Sequence, residues 1–98
     1  MDYDFGSSGL DAVLTSDARK LKFPVGVIKS LQSKLVVIKA APDERTLRNW
    51  RSLHYEKLKG DRSHQRSIRL NDQWRLVFEI LDKQTPPTVL IVAVEDYH

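Results

Sequence analysis

Between positions 57 and 75 the chain gathers Lys57, Lys59, Arg62, His64, Arg66, Arg69, Gln73 and Arg75 against only Asp61 and Asp72, and it closes on Asp96, Tyr97 and His98. These are the groups that metal-free cleavage of an RNA phosphodiester requires. A base must take the proton from the ribose 2′-hydroxyl, positive charge must meet the negative charge that builds on the phosphate, and an acid must protonate the leaving 5′-oxygen. His98 is the natural titrating group, since its ordinary pKa lies near neutrality. Arg75 and Lys59 are suited to stabilise a phosphorane-like transition state, and Arg69 adds to their field. Tyr97 can stack on a base, and Asp96 can orient a partner or accept a proton. Each assignment has a plainer alternative: a solvated charged face, a frayed terminal histidine, a sheet arginine stacked on Trp74, an ordinary turn lysine before Gly60. The three histidines at 54, 64 and 98 lack metal-ligand spacing and the chain has no cysteine, so no metal site, disulfide or other cofactor is expected.

The elements that must position these groups follow from the hydrophobic pattern. Tyr3 and Phe5 alternate with Asp2 and Asp4 in the manner of a short strand. Ser8 and Asp11 have the spacing of a capping box, and Leu10, Val13 and Leu14 form one stripe, which predicts a short helix over 8–15, with Ser16 or Asp17 capping a further turn. Pro24 fits the first turn of a second helix. Val27, Ile28, Leu31, Leu35 and Ile38 recur at helical spacing up to Pro42, which ends that helix. Over 42–53 the pattern is irregular and reads as a loop or single turn, with Trp50 as a core anchor.

Beyond residue 53 the period changes to two. Residues 54–59 read as a strand ending at Gly60, and 61–64 as a turn. In the strand over 66–70, Ile68 and Leu70 share one face and Ser67 and Arg69 the other; a tight turn at Asn71 and Asp72 then leads into a strand over 73–80. There Trp74, Leu76, Phe78 and Ile80 point one way and Gln73, Arg75, Val77 and Glu79 the other. Antiparallel pairing brings Arg69 and Arg75 together on the polar face, where two guanidinium groups repel unless an anion lies between them. The β-branched run over 89–94 predicts a buried central strand that carries Asp96, Tyr97 and His98 to one end of the sheet.

At 98 residues with 41% hydrophobic and 30% charged composition, the chain has the size of one folded domain, with a formal net charge of +3. It has neither a run of about 18 apolar residues nor a signal-peptide profile, so the expectation is a cytoplasmic protein with no membrane association. The clustering of charge over 57–75 is the footprint of a protein that meets nucleic acid or an acidic partner.

Four pieces together resemble HigB-type toxins of the RelE/ParE superfamily: Leu58-Lys59-Gly60-Asp61-Arg62, Ser67-Ile68-Arg69, Gln73-Trp74-Arg75-Leu76 and the closing Glu95-Asp96-Tyr97-His98. The opening Phe5-Gly6-Ser7-Ser8-Gly9-Leu10 is similar to the start of that family too. The resemblance implies an α+β, RelE-like fold, with two N-terminal helices on a small, mostly antiparallel twisted sheet. It implies a ribosome-dependent messenger-RNA endonuclease, the toxin of a type II toxin–antitoxin pair. Position by position, Lys59 and Arg75 match the family's basic catalytic residues and Asp96, Tyr97 and His98 its C-terminal group. Gln73 stands where some relatives have Asn, and Arg62, Arg66, Arg69 and Gln73 are assigned to substrate binding. The implied partners are a helix-turn-helix, HigA-like antitoxin, the ribosome and mRNA, with DNA met only through the antitoxin. The rival reading is a non-catalytic, ParE-like toxin that acts by binding, for example to gyrase.

Overall fold

A computed structural model of the chain describes residues 1–6, 9–15, 18, 20–83 and 87–96. It is an α+β structure built on one five-stranded mixed sheet. Its strands are β1 (Asp2–Phe5), β2 (Glu56–Lys57), β3 (Arg66–Arg69), β4 (Trp74–Leu81) and β5 (Thr88–Asp96), in the spatial order β1-β5-β4-β3-β2. All neighbouring pairs are antiparallel except β1 with β5, which run parallel. The apolar strand β5, for which the β-branched run predicts a central place, is an interior strand held between β1 and β4, and β4 takes the middle of the sheet.

Helix α1 (Val25–Ala40) covers one face of the sheet. Val27, Leu31, Leu35 and Ile38 recur every three or four positions, so they share a stripe and are almost completely buried. Each contributes about 1.5–3 kcal/mol by leaving water. They meet Ile68, Leu76, Phe78, Val89 and Ile91, which alternate onto the same side of β3, β4 and β5. The carbonyls at the C-terminal end of α1 lack partners within the helix, and the α-ammonium of Met1 supplies one. It donates to Ile38 O at 3.0 Å, to Lys39 O at 3.2 Å and to Ala41 O, placing a positive charge at the negative end of the helix dipole. Nearby, the exposed pair of Lys39 and Asp2 ties the same turn to β1, and each charge holds the other in its ionised form.

The sequence expectations differ from the structure in four places. The first predicted helix is a 3-10 turn, Leu10–Leu14, entered through Gly9 in the left-handed region (φ 75°) without a side-chain cap; Ser8, Ser16 and Asp17, the expected caps, lie outside the described residues. The irregular stretch after Pro42 contains a second helix, α2 (Glu44–Asn49), whose N-cap Asp43 accepts from Thr46 N at 3.1 Å. Trp50 is not a core anchor: it is 46% exposed, and Leu47 and Leu53 on either side take the buried positions. In the predicted strand over 54–59 only Glu56–Lys57 pairs, because His54 turns into the left-handed region (φ 46°) just before it.

Asp43→Ala removes the sole side-chain cap of a six-residue helix that carries Leu47 into the core. The expected result is a loss of about 1 kcal/mol in urea unfolding. No measurable change would mean that the packing of Leu47 alone holds α2.

Candidate functional site

The face of the sheet opposite α1 is polar but far from bare. Along β4 the two-residue period turns Arg75, Val77 and Glu79 away from the core, as the sequence predicts, yet Arg75 is only 8% exposed and Val77 only 2%. The register shifts at this point. Val77 faces Ala93 while Phe78 faces Ile91, so Val92 is an extra residue on β5 that increases the local twist.

Two segments dominate this face. One is the turn at His54. Arg75 Nε donates to Ser67 Oγ at 2.8 Å, and its NH2 donates to Ser67 O at 3.3 Å and to His54 O, with Glu56 Oε2 at 3.8 Å. The guanidinium thus fastens β4 to β3 and holds the backbone of His54, a non-glycine residue in a left-handed conformation that costs about 1 kcal/mol or more. Trp74 takes no part in this, because adjacent strand residues face opposite ways; its ring packs edge-on against Phe23, with centroids 5.5 Å apart.

The other segment is the loop 60–65, entered through Gly60 at φ 68° and a 3-10 turn, Gly60–Arg62. It springs from the edge of the sheet at β2 and reaches across it. Gln65 Nε2 donates to Glu79 Oε2 on β4 at 3.4 Å, with His64 Nε2 3.8 Å from the same oxygen. Arg62 reaches Glu95 on β5, with NH1 to Oε1 at 3.1 Å and NH2 to Oε2 at 2.6 Å. This two-pronged bond to the Glu95 carboxylate raises the Arg62 pKa.

The remaining predicted residues fall into place around these contacts. Arg66 is half-buried and donates to Ser63 O at 2.8 Å and Gln65 O at 3.1 Å, with Glu44 at 3.8 Å. Glu44 also accepts from the Tyr55 hydroxyl, whose pKa is pushed well up, first by burial and then by that carboxylate. Arg69 and Arg75 are direct cross-strand partners, as expected. Their repulsion is answered from within: Arg69 pairs with Asp72 and lies 3.4 Å from the His54 ring, whereas Arg75 turns to Ser67 and the His54 carbonyl. No external anion is needed to explain the pair. Gln73 Nε2 donates to Asp96 Oδ2 at 2.9 Å, which joins the start of β4 to the end of β5. Lys59 is exposed beside a shallow depression lined by Glu56, Lys57 and Leu58, and among the described residues its ammonium has no hydrogen-bond or ion-pair partner. Tyr97 and His98 lie outside the described residues.

The structure therefore brings Arg62, in the loop that follows Lys59, to the end of β5 that bears Asp96. The residue that makes this link, Glu95, has no role in the sequence reading. Only its position next to Asp96 hints at one, because its partner lies 33 residues away in the chain.

The model of the RelE-like toxin of the type II toxin–antitoxin system HigB matches residues 3–97. The chain belongs to the HigB-like toxin family. It is accordingly the toxin of a type II pair, and an antitoxin is its counterpart. No curated protein sequence is significantly similar to this HigB-like toxin. Its fold is similar to that of a YoeB/ParE toxin from Agrobacterium tumefaciens, with a TM-score of 0.61, 13% identity and all of both chains covered. YafQ from E. coli gives 0.60 and 15%, covering 97% of this chain and 91% of that one. The YoeB dimer from Staphylococcus aureus gives 0.57 and 18%, covering 100% and 97%. At such identities the likeness is one of fold.

Proposed function

We propose that this HigB-like toxin is a metal-independent endoribonuclease that cuts messenger RNA on the ribosome through attack of a ribose 2′-hydroxyl on the adjacent phosphodiester. The observation that supports the reading is the meeting of Arg62 with Glu95: the loop that follows Lys59 reaches the end of β5, next to Asp96 and, in sequence, before Tyr97 and His98. In this reading Lys59 neutralises charge on the phosphate as it builds, and His98 is the base or acid. Asp96 orients, Tyr97 stacks on a base, and Arg62, Arg66, Arg69 and Gln73 shape the RNA-binding face. Arg75 acts from beneath that face: its charge contributes to the field while its hydrogen bonds hold His54 and Ser67 in place. A site with one imidazole is sparse for cutting free RNA, so the ribosome supplies the in-line geometry and naked RNA is cut weakly or not at all.

The partner is a cognate helix-turn-helix antitoxin, and DNA is met only through it. A solved neighbour, the E. coli DinJ–YafQ toxin–antitoxin complex, shows that a chain of this fold is held by an antitoxin. A neighbour described as YoeB/ParE keeps a second reading in view, a toxin that acts by binding alone. Mapping transcript 5′ ends after a pulse of expression separates the two. New ends inside translated regions, abolished by His98→Ala, are expected for the nuclease; intact transcripts with arrested DNA synthesis would refute it.

A further inference from the structure

Building on the reading of this face as an RNA site, we infer that the Arg62 guanidinium is a preformed receptor for one phosphodiester of single-stranded RNA, and that Glu95 is the carboxylate occupying it in the free protein. The loop aims the fork by itself. Arg62 Nε donates to Gln65 Oε1 at 3.0 Å. The turn is closed by backbone bonds from Arg62 N to Lys59 O (3.3 Å), Ser63 N to Gly60 O (3.2 Å) and Gln65 N to Arg62 O (2.9 Å). Arg66 fastens Ser63 O and Gln65 O from below, and Gln65 is anchored to Glu79. None of these contacts involves Glu95, so the fork stays aimed when the carboxylate leaves.

The edge that Glu95 occupies is the one a phosphate would take. Two parallel bonds, at 3.1 and 2.6 Å, are how a guanidinium holds a carboxylate or a phosphate alike. The side chains of Arg62 and Glu95 remain 44% and 35% exposed, and such solvent-open ion pairs are weak and readily exchanged. Lys59, three residues before Arg62 and uncommitted among the described residues, adds attraction for a polyanion that Glu95 cannot match. RNA binding then displaces the Glu95 carboxylate into water, and the carboxylate screens the site against weaker anions.

The opposite role, a clasp that Glu95 supplies to hold the loop, predicts the reverse sign. Binding of a labelled single-stranded oligoribonucleotide to the full chain, followed by fluorescence anisotropy over a range of salt concentrations, reads that sign directly. Glu95→Gln is expected to tighten binding about two- to fivefold and to steepen the dependence of log K on log salt by about 0.7, the increment for one more phosphate on a single strand. Arg62→Gln is expected to weaken binding, and Glu95→Gln to bring no gain in that background. Arg62→Lys, which keeps the charge and loses the fork, should be equally insensitive to Glu95→Gln. The inference is overturned by weaker or unchanged binding in Glu95→Gln, by an equal gain in the Arg62→Gln background, which would be a net-charge effect, or by no binding in either protein. Loss of the folded circular dichroism signal in Glu95→Gln would overturn it as well, because the loop would then depend on the carboxylate. Cleavage in a translating extract is scored separately: tighter binding by Glu95→Gln with no cutting by any variant leaves this inference standing and removes the nuclease.

Discussion

Arg75→Ala is expected to lower the free energy of unfolding by about 3 kcal/mol, through the loss of charged hydrogen bonds within a buried site. Arg75 is 8% exposed and its guanidinium donates to Ser67 Oγ, Ser67 O and the His54 carbonyl, and Ser67 itself is 1% exposed. Truncation leaves these acceptors without their donor in a space too enclosed for full hydration, and it frees His54 from its left-handed turn. For a chain of this size the loss corresponds to a fall in melting temperature of about 12 °C or more. Arg75→Lys should fall between the two, since an ammonium keeps the charge but cannot span Ser67 and His54 at once. Urea unfolding followed by tryptophan fluorescence measures both variants. If Arg75→Ala unfolds with the wild-type midpoint, the clasp is not structural and the guanidinium is available to RNA instead. The consequence for function is direct: loss of toxicity in Arg75→Ala has to be weighed against loss of fold before any chemical role is drawn from it.

Lys59→Ala should behave in the opposite way. The ammonium is exposed and, among the described residues, holds no partner, so its removal is expected to leave the unfolding midpoint within about 0.5 kcal/mol of wild type. Under the proposed function, in which it neutralises charge on the phosphate, its loss is expected to reduce messenger cleavage in a translating extract about 100-fold. Lys59→Arg tests whether charge alone suffices. Full cleavage by Lys59→Ala would remove this residue from the chemistry and leave the Arg62 fork as the principal cation on that side of the site.

The contrast between these two cations marks the limit of what the chain reveals before it is folded. Both stand in the same basic stretch, and the resemblance implies the same basic catalytic role for both. A two-residue alternation places Arg75 on the polar side of β4, and that is where it lies. Alternation carries no information about what covers that side. The cover comes from the His54 turn and the loop 60–65, whose paths depend on left-handed backbone at His54 and Gly60 and on contacts with strands far along the chain. Helix α2 was legible in principle, since Asp43 is a favoured N-cap residue and Glu44 follows it in the first turn. The irregular spacing of Leu47, Trp50 and Leu53 reads as a loop or single turn instead, and of the six residues of the helix Leu47 is the buried one.

The sequence by itself determined the α+β class, the long apolar stripe of α1, the interior position of β5, the pairing of Arg69 with Arg75 and the membership of the HigB-like family. These are written in short periods and local motifs, which a chain displays without being folded. Only the tertiary structure decided which cations are engaged inside the protein and which face solvent: Arg75 turned to Ser67 and His54, Arg69 to Asp72, Arg62 to Glu95, and Lys59 left open among the described residues. A guanidinium side chain is long enough to choose among several acceptors. The choice is settled by strand register and loop path, which bring together residues up to 33 positions apart and leave no trace in local spacing.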